Sequence, residues 1–159
     1  MLRVVGAQSG LSIHECKDAN LEITIRRSKV TDYVRMKEFD EFAGDRRMDM
    51  ERGELFIADL DSIPCVGYLK LTSNEFFNKP LISLVNTHPD HRGKGIGAAL
   101  IRSAVAQAGW HKVYSTTEES NTRMQSLFES IGFEKVGTIC DFNFDGETEW
   151  VYCYTVDGE

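Results

Sequence analysis

The sequence predicts an α/β fold of the α+β kind: a mixed, mostly antiparallel sheet of about six or seven strands flanked by helices. Three observations lead there. The first half of the chain carries short strand-like runs joined by turns. Near the middle, Leu81-Ile82-Ser83-Leu84-Val85 is apolar at almost every position, as expected of a central strand covered on both faces. The remainder alternates helix and strand patterns and closes on a hairpin. With 159 residues, 42% of them hydrophobic, the chain has apolar side chains for one core and too little length for two ordinary domains. Residues 21–159 are therefore expected to form one domain. Residues 1–20 show no clear period and read as a loosely held lead-in or a partial extra strand.

In order along the chain, Leu21, Ile23 and Ile25 alternate with Glu22, Thr24 and Arg26, the period of two that marks the first strand. Ser28 or Thr31 is placed to cap a helix whose apolar positions, Val30, Tyr33, Met36, Phe39 and Ala43, step by three and four up to Gly44. The charged stretch from Asp45 to Glu54 reads as a solvated connection or a second short helix. Two runs, Leu55 to Ala58 and Cys65 to Leu71, flank Asp59-Leu60-Asp61-Ser62-Ile63-Pro64 and form a hairpin signal. Asn74-Glu75-Phe76-Phe77-Asn78 is read as a loop before the central strand. Beyond that strand, Ile96, Leu100, Ala104 and Ala108 share a helix face, and Val113 to Thr116 is a strand. Met124, Leu127, Phe128 and Ile131 form the apolar stripe of a helix from near Asn121 to Gly132. Phe133 to Ile139 and Glu149 to Val156 make the closing hairpin, with Asp145-Gly146 in its turn.

Composition excludes some functions. A net charge of -7 argues against a nucleic-acid binder, which neutralises phosphates with clustered Lys and Arg. It suits a cationic partner such as an amine. No apolar run approaches the roughly 20 residues of a membrane span, and no secretory signal is evident, so no membrane partner and a cytoplasmic location are expected. Cys16, Cys65, Cys140 and Cys153 lack metal-ligand spacing and are expected as buried, reduced thiols. His88 and His91 have no third ligand nearby in sequence, so no metal is expected. Trp110, Trp150, Tyr152 and Tyr154 read as core and hairpin aromatics.

The informative segment is His88-Pro89-Asp90-His91-Arg92-Gly93-Lys94-Gly95-Ile96-Gly97-Ala98, between the central strand and an amphipathic helix. Each glycine costs about 1 kcal/mol against alanine inside a helix, so three in five positions need another reason. A helix N-terminus offers unpaired amides and a partial positive charge, and glycines let a phosphate reach them. Arg92 and Lys94 add charge at the same place. A P-loop is excluded because no Ser or Thr follows Lys94. Gly93, Gly95 and Ala98 do satisfy the dinucleotide-binding pattern, with Glu118 or Glu119 about 20 residues on. The local pattern leaves that reading open. The context disfavours it, since only one strand-helix-strand crossover of this kind follows. Glycines serving close packing alone remain the plain alternative.

The segment resembles the phosphate-binding motif of the GNAT acetyltransferases: Gln or Arg, two residues, Gly, one residue, Gly or Ala. Arg92, Gly95 and Gly97 match it, with Pro89 three residues before. The resemblance covers roughly residues 21–156. It extends to Asn121 and to Leu127-Phe128-Glu129-Ser130-Ile131-Gly132-Phe133, which is similar to a second family stretch. It implies a GNAT-like sheet splayed between strands four and five, with acetyl-CoA bound in the gap as co-substrate.

Residue by residue, the resemblance implies that backbone groups of Val85, Asn86 and Thr87 hold the pantetheine arm and the thioester carbonyl. Thr87 stands where the family usually has Val. The pyrophosphate would rest on the amides of Arg92, Gly93, Lys94, Gly95, Ile96, Gly97 and Ala98. Asn121 would bond the pantetheine arm or the thioester region. Phe128 lies on the cofactor side of its helix, where the family commonly has a tyrosine that protonates the departing thiolate. Phe has no proton to give, but with a thiol pKa of about 8.5 a bare thiolate near pH 7 costs only about 2 kcal/mol. Water or another hydroxyl can then serve, and Tyr114, Ser126, Tyr152 and Tyr154 are candidates by type. A protonated amine must lose a proton to attack, so a carboxylate is expected near the thioester. Glu118 and Glu119 end the fifth strand just before Asn121 and are the candidate bases; Glu75 is a third.

The implied activity is transfer of an acetyl group to a primary amine of a small molecule or peptide, by direct attack in a ternary complex. The alternative is an inactive coenzyme A or acyl-CoA binding module, kept open by Phe128. Acceptor pockets in the family are made by variable loops, here residues 40–54, 73–80 and 141–148. The protein is expected as a monomer or homodimer.

Overall fold

The computed structural model describes residues 21–41 and 43–156; the expected lead-in, residues 1–20, lies outside the described residues. The elements run β1 (Ile23–Arg27), α1 (Asp32–Phe39), α2 (Arg47–Glu51), β2 (Leu55–Leu60), β3 (Ile63–Phe76), β4 (Lys79–Thr87), a 3-10 turn (Pro89–His91), α3 (Ile96–Gln107), β5 (Lys112–Glu118), α4 (Thr122–Ile131), β6 (Glu134–Ile139) and β7 (Glu149–Thr155).

The strands of the described residues lie in one sheet in the order β1-β2-β3-β4-β5-β7-β6. Every neighbouring pair is antiparallel except β4 and β5. Those two are parallel because α3 carries the chain back across the sheet between them. The apolar run from Leu81 thus sits in the fourth of seven positions, the central place that its composition predicts.

Two apolar clusters fix the layers. Phe56, Leu69 and Val113 from the sheet pack with Ile96 and Leu100 of α3 and Phe128 of α4. Met36 of α1 and Met50 of α2 pack with Leu55, Ile57 and Tyr68 on the other side. Helix α4 begins where the Asn121 side chain accepts a hydrogen bond from the Met124 amide at 3.1 Å. It ends on Gly132 at φ 107°, a left-handed cap that favours glycine.

Several elements differ from the sequence expectation. Helix α1 is shorter than the stretch from Val30 to Gly44: Val30 is exposed and the Thr31 side chain makes no cap. Asp32 fixes the entry to the helix instead, its carboxylate accepting from the Lys29 amide and from Arg26, which also binds Asp59. The chain leaves the helix at Asp40, whose buried carboxylate accepts a hydrogen bond from the Tyr68 hydroxyl. Leu60 and Ile63 pair directly, so the first hairpin turns within Asp61 and Ser62 rather than over six residues. The expected loop from Asn74 to Asn78 is the end of β3 and a tight turn, with Phe77 and Asn78 both at positive φ. The charged stretch after Gly44 contains α2, and it is not merely solvated. Asp49 is buried and paired with Lys70 at 3.2 Å.

The cysteines divide as well. Cys65 and Cys153 are buried, but Cys140 is exposed where β6 has just ended, contrary to expectation; Cys16 is outside the described residues. Burial, with the Asp32 carboxylate nearby, pushes the Cys65 thiol up to about 12. At pH 7 Cys65 is then held as the unreactive thiol. In a Cys16→Ser background, a thiol-directed aromatic disulfide at pH 7 is expected to consume Cys140 first and Cys65 only on unfolding. Equal rates for the two thiols would contradict the burial described here.

Candidate active site

The site begins with one extra residue in β4. Lys70 faces Leu84 while Leu71 faces Ile82, so Ser83 has no partner on β3 and forms a bulge. Pairing with β5 covers Leu81↔Tyr114 and Ile82↔Ser115 and stops at that point. The Ser115 hydroxyl donates to the Ile82 carbonyl at 2.8 Å, tying the two strands at the fork. Beyond it, Leu84 to Thr87 are paired with β3 alone, and the other edge of β4 is open.

A cleft of about 630 Å³ opens along that edge. Its walls include Val85, Asn86 and Thr87 of β4, the turn residues Arg92, Gly93 and Gly95, and Ile96, Gly97 and Ala98 of α3. Asn121, Met124 and Leu127 close it from the α4 side. A narrower slot of about 220 Å³ lies in the fork itself, between Ser83 and Leu84 on one side and Ser115, Thr116 and Thr117 on the other. Phe128 and Asn121 also line this slot.

The glycine-rich turn is shaped by backbone geometry. Gly93 and Gly95 both have φ 80°, a left-handed conformation that an L side chain resists. Gly95 holds the N-cap position of α3 with no side-chain cap, and the first bond of the helix is Ala99 N to Gly95 O at 3.0 Å. The amides from Gly93 to Ala98 have no protein acceptor among the described residues. Six successive N–H groups beside a helix N-terminus make an anion-binding surface. Gly97 is close to α4: a Cβ there would lie 3.3 Å from Leu127 Cδ2.

The charged groups around the turn support it. Arg92 Nε donates to the Thr87 carbonyl at 3.2 Å, fastening the turn to the end of β4. Lys94 does not line the cleft; its ammonium lies 3.1 Å from His91 Nδ1. His91, which does line the cleft, is held below its ordinary pKa, first by desolvation and then by Lys94 and His88.

Most of the cofactor-side residues expected from the sequence thus share the cleft, with Phe128 in the adjoining slot. The expected bases do not. Glu118 and Glu119 are exposed and line neither cavity. Glu118 stands in register with Glu149, which is buried and accepts from Asn143 Nδ2 at 3.1 Å. The Glu119 backbone is pinned by its amide to Thr148 O and by its carbonyl to Gln125 Nε2. Glu75 is at the far end of β3, 3.4 Å from Lys70. Tyr114, Tyr152 and Tyr154 line neither cavity, while Ser126 lines the wide cleft and not the slot.

Sequence reasoning missed Ser83, Thr116, Thr117 and Glu149. The available signals were the lone polar residue Ser83 in the apolar run from Leu81 to Val85 and the Ser-Thr-Thr that follows Tyr114. Among the described residues no three His, Cys, Asp or Glu converge as metal ligands, and no helix is long and apolar enough to cross a membrane.

Comparison with known proteins agrees with this architecture. No curated protein matches the chain by sequence. A GNAT-family acetyltransferase from Bacillus cereus superposes with TM-score 0.75 at 22% identity, covering 84% of this chain and 97% of that one. The IAA acetyltransferase of Bacillus cereus gives 0.70 at 18% identity, over 85% and 100% of the two chains. The Salmonella typhimurium protein yncA, solved with its cofactor acetyl-CoA, gives 0.70 at 17% identity, over 87% and 96%. At such identities these likenesses speak for the fold. The family follows from the sequence, because the model of the acetyltransferase (GNAT) family matches residues 22–133 and so spans both the forked strands and the glycine turn: the chain belongs to the GNAT acetyltransferases.

Proposed function

We propose that this chain is an acetyl-CoA-dependent N-acetyltransferase acting on a primary amine of a small molecule or peptide. The carrying observation is the continuity of two unpaired backbone surfaces in one cleft: the free amides from Gly93 to Ala98 and the open edge of β4. A pyrophosphate fits the first, and an extended arm bearing amide groups fits the second as an added strand would.

In this reading the pyrophosphate rests on the turn, with Arg92 and Lys94 adding charge. The pantetheine arm runs past Val85, Asn86 and Thr87, and the thioester reaches the fork. Asn121 spends its side-chain oxygen on the α4 cap, leaving its NH2 group to donate to the arm. The acceptor approaches from the α1 and α2 side of the sheet. Its nitrogen bonds to the thioester carbon as the carbonyl π pair moves to oxygen, where β4 amides receive the charge. Collapse of that adduct breaks the carbon–sulfur bond, and the electron pair leaves on sulfur. The proton lost from nitrogen passes to Glu118, directly or through water. No acyl-enzyme forms.

Glu118 is favoured over Glu119 because it belongs to β5 and alternates with the buried Val113, Ser115 and Thr117, on the side away from α4. Glu118→Gln is expected to lower kcat about 100-fold with little change in KM for acetyl-CoA. If Glu119→Gln shows the larger loss in the same assay, the base is Glu119.

The second reading, a coenzyme A binding module without turnover, rests on Phe128, which is fully buried in the core cluster and carries no proton. Incubation with acetyl-CoA and a panel of amines, following release of free thiol, separates the two. Turnover with any amine supports the enzyme; tight coenzyme A binding without turnover across a wide panel supports the module.

A further inference from the structure

Phe128 offers the departing thiolate no hydrogen bond, and the fork holds hydroxyls that can, one of them both largely buried and without another partner. Four hydroxyls line the slot: Ser83, Ser115, Thr116 and Thr117. Ser115 already donates to the Ile82 carbonyl. Ser83 is exposed on the bulge, and Thr116 is half-buried on the opposite side of β5 from α4. Thr117 differs from Ser115 in having an uncommitted hydroxyl and from Ser83 and Thr116 in its burial. It is only 6% exposed, it alternates with Val113 and Ser115 toward the α4 side, and its hydroxyl makes no hydrogen bond within the described protein. The residue is largely buried while its hydroxyl is uncommitted at the slot wall, so it can donate to a ligand that enters there.

The tyrosines are placed elsewhere. Tyr152 packs beneath Phe128 at a ring distance of 5.2 Å, with its hydroxyl 3.5 Å from Glu129 and outside the slot. Phe128 itself is held between Tyr152 and Phe133, so its ring is a wall of the slot rather than a reagent.

We propose that Thr117 is a catalytic residue which donates a hydrogen bond to the coenzyme A sulfur as the carbon–sulfur bond breaks, in the place where the family commonly has a tyrosine. This rests on the acetyltransferase reading. In the step, the electron pair of the breaking bond goes to sulfur and the developing thiolate accepts the Thr117 O–H hydrogen bond. The threonine keeps its proton, because an aliphatic hydroxyl is a far weaker acid than a thiol. The thiolate leaves with coenzyme A and takes its proton from solvent, while the proton lost by the amine passes to the base. Charge and atoms balance without an oxidant or a covalent intermediate.

The test needs no knowledge of the acceptor. Free coenzyme A is bound to wild type, Thr117→Val and Thr117→Ser, and its thiol is titrated by the ultraviolet absorbance of the thiolate. Thr117→Val keeps the shape and the strand preference, and a thermal melt checks the fold. The bound thiol is expected to ionise about one pH unit lower in wild type and in Thr117→Ser than in Thr117→Val. With any amine that turns over, Thr117→Val should lower kcat about 10-fold at unchanged KM for acetyl-CoA, and Thr117→Ser should restore most of it. An identical thiol titration in all three proteins overturns the proposal while leaving the acetyltransferase reading intact. Failure of wild type to bind coenzyme A at all overturns both.

Discussion

Gly97→Glu is expected to abolish coenzyme A binding while leaving the protein folded. A Cβ at this position points across the cleft, 3.3 Å from Leu127 Cδ2 and 4.0 Å from Val85 Cγ1. Both neighbours are side-chain methyl groups, so the helix need not move to admit the first carbon. The rest of the glutamate then has only the cleft to occupy, and its carboxylate takes the surface offered to the pyrophosphate. Exclusion and like-charge repulsion act together, and a loss of at least about 100-fold, or about 2.7 kcal/mol, is expected in calorimetric titration. The melting temperature should hold, because glutamate is a better helix former than glycine and an acidic group in the first turn suits the helix dipole. Gly97→Ala should weaken binding far less. Retained affinity in Gly97→Glu would place the phosphate somewhere else.

Gly67→Ala should damage stability and binding together, for a different reason. Gly67 lies on β3 opposite Thr87, under the start of α3. A Cβ there would meet the Asn86 carbonyl oxygen at 2.9 Å and Ile96 Cγ2 at 3.0 Å, with Leu100 Cδ1 at 3.4 Å. The first of these is backbone and cannot rotate away. Either β4 shifts or α3 lifts, and overpacking of this kind costs about 1–3 kcal/mol. For a chain of this size the melting temperature should fall by about 5 °C. Since Asn86 and Ile96 are both walls of the cleft, coenzyme A affinity should drop in the same variant, by about 10-fold. An unchanged melt would mean that α3 sits higher on the sheet than described.

These two glycines show what a sequence can reveal. Gly97 stood out because it broke helix propensity next to two other glycines, and a local conflict of that sort asks for a reason. Gly67 sat unremarked in a strand run, since the atoms that require it come from β4 and α3, far along the chain. The bulge at Ser83 was hidden in the same way. An extra residue in an apolar strand leaves the composition unchanged, yet it is what parts β4 from β5 and opens the slot. Thr117 became a candidate only once its lack of a partner was visible. The sheet itself was largely legible: periods of two and three to four, the apolar central run and the helix start near Asn121 all correspond to observed elements. Where the reading slipped, a tertiary partner intervened. Asp40 leaves α1 for Tyr68, and Asp49 is drawn in by Lys70, pairings that charge patterning along the chain does not disclose.

The proposed activity depends first on the amides from Gly93 to Ala98 holding the pyrophosphate. The most direct measurement is nitrogen-labelled NMR of these amides during titration with coenzyme A, together with their hydrogen exchange. The largest downfield shifts and the strongest new protection are expected on the six residues Gly93 to Ala98. Shifts confined to other surfaces, with these six amides unmoved at saturating coenzyme A, would contradict this placement of the pyrophosphate.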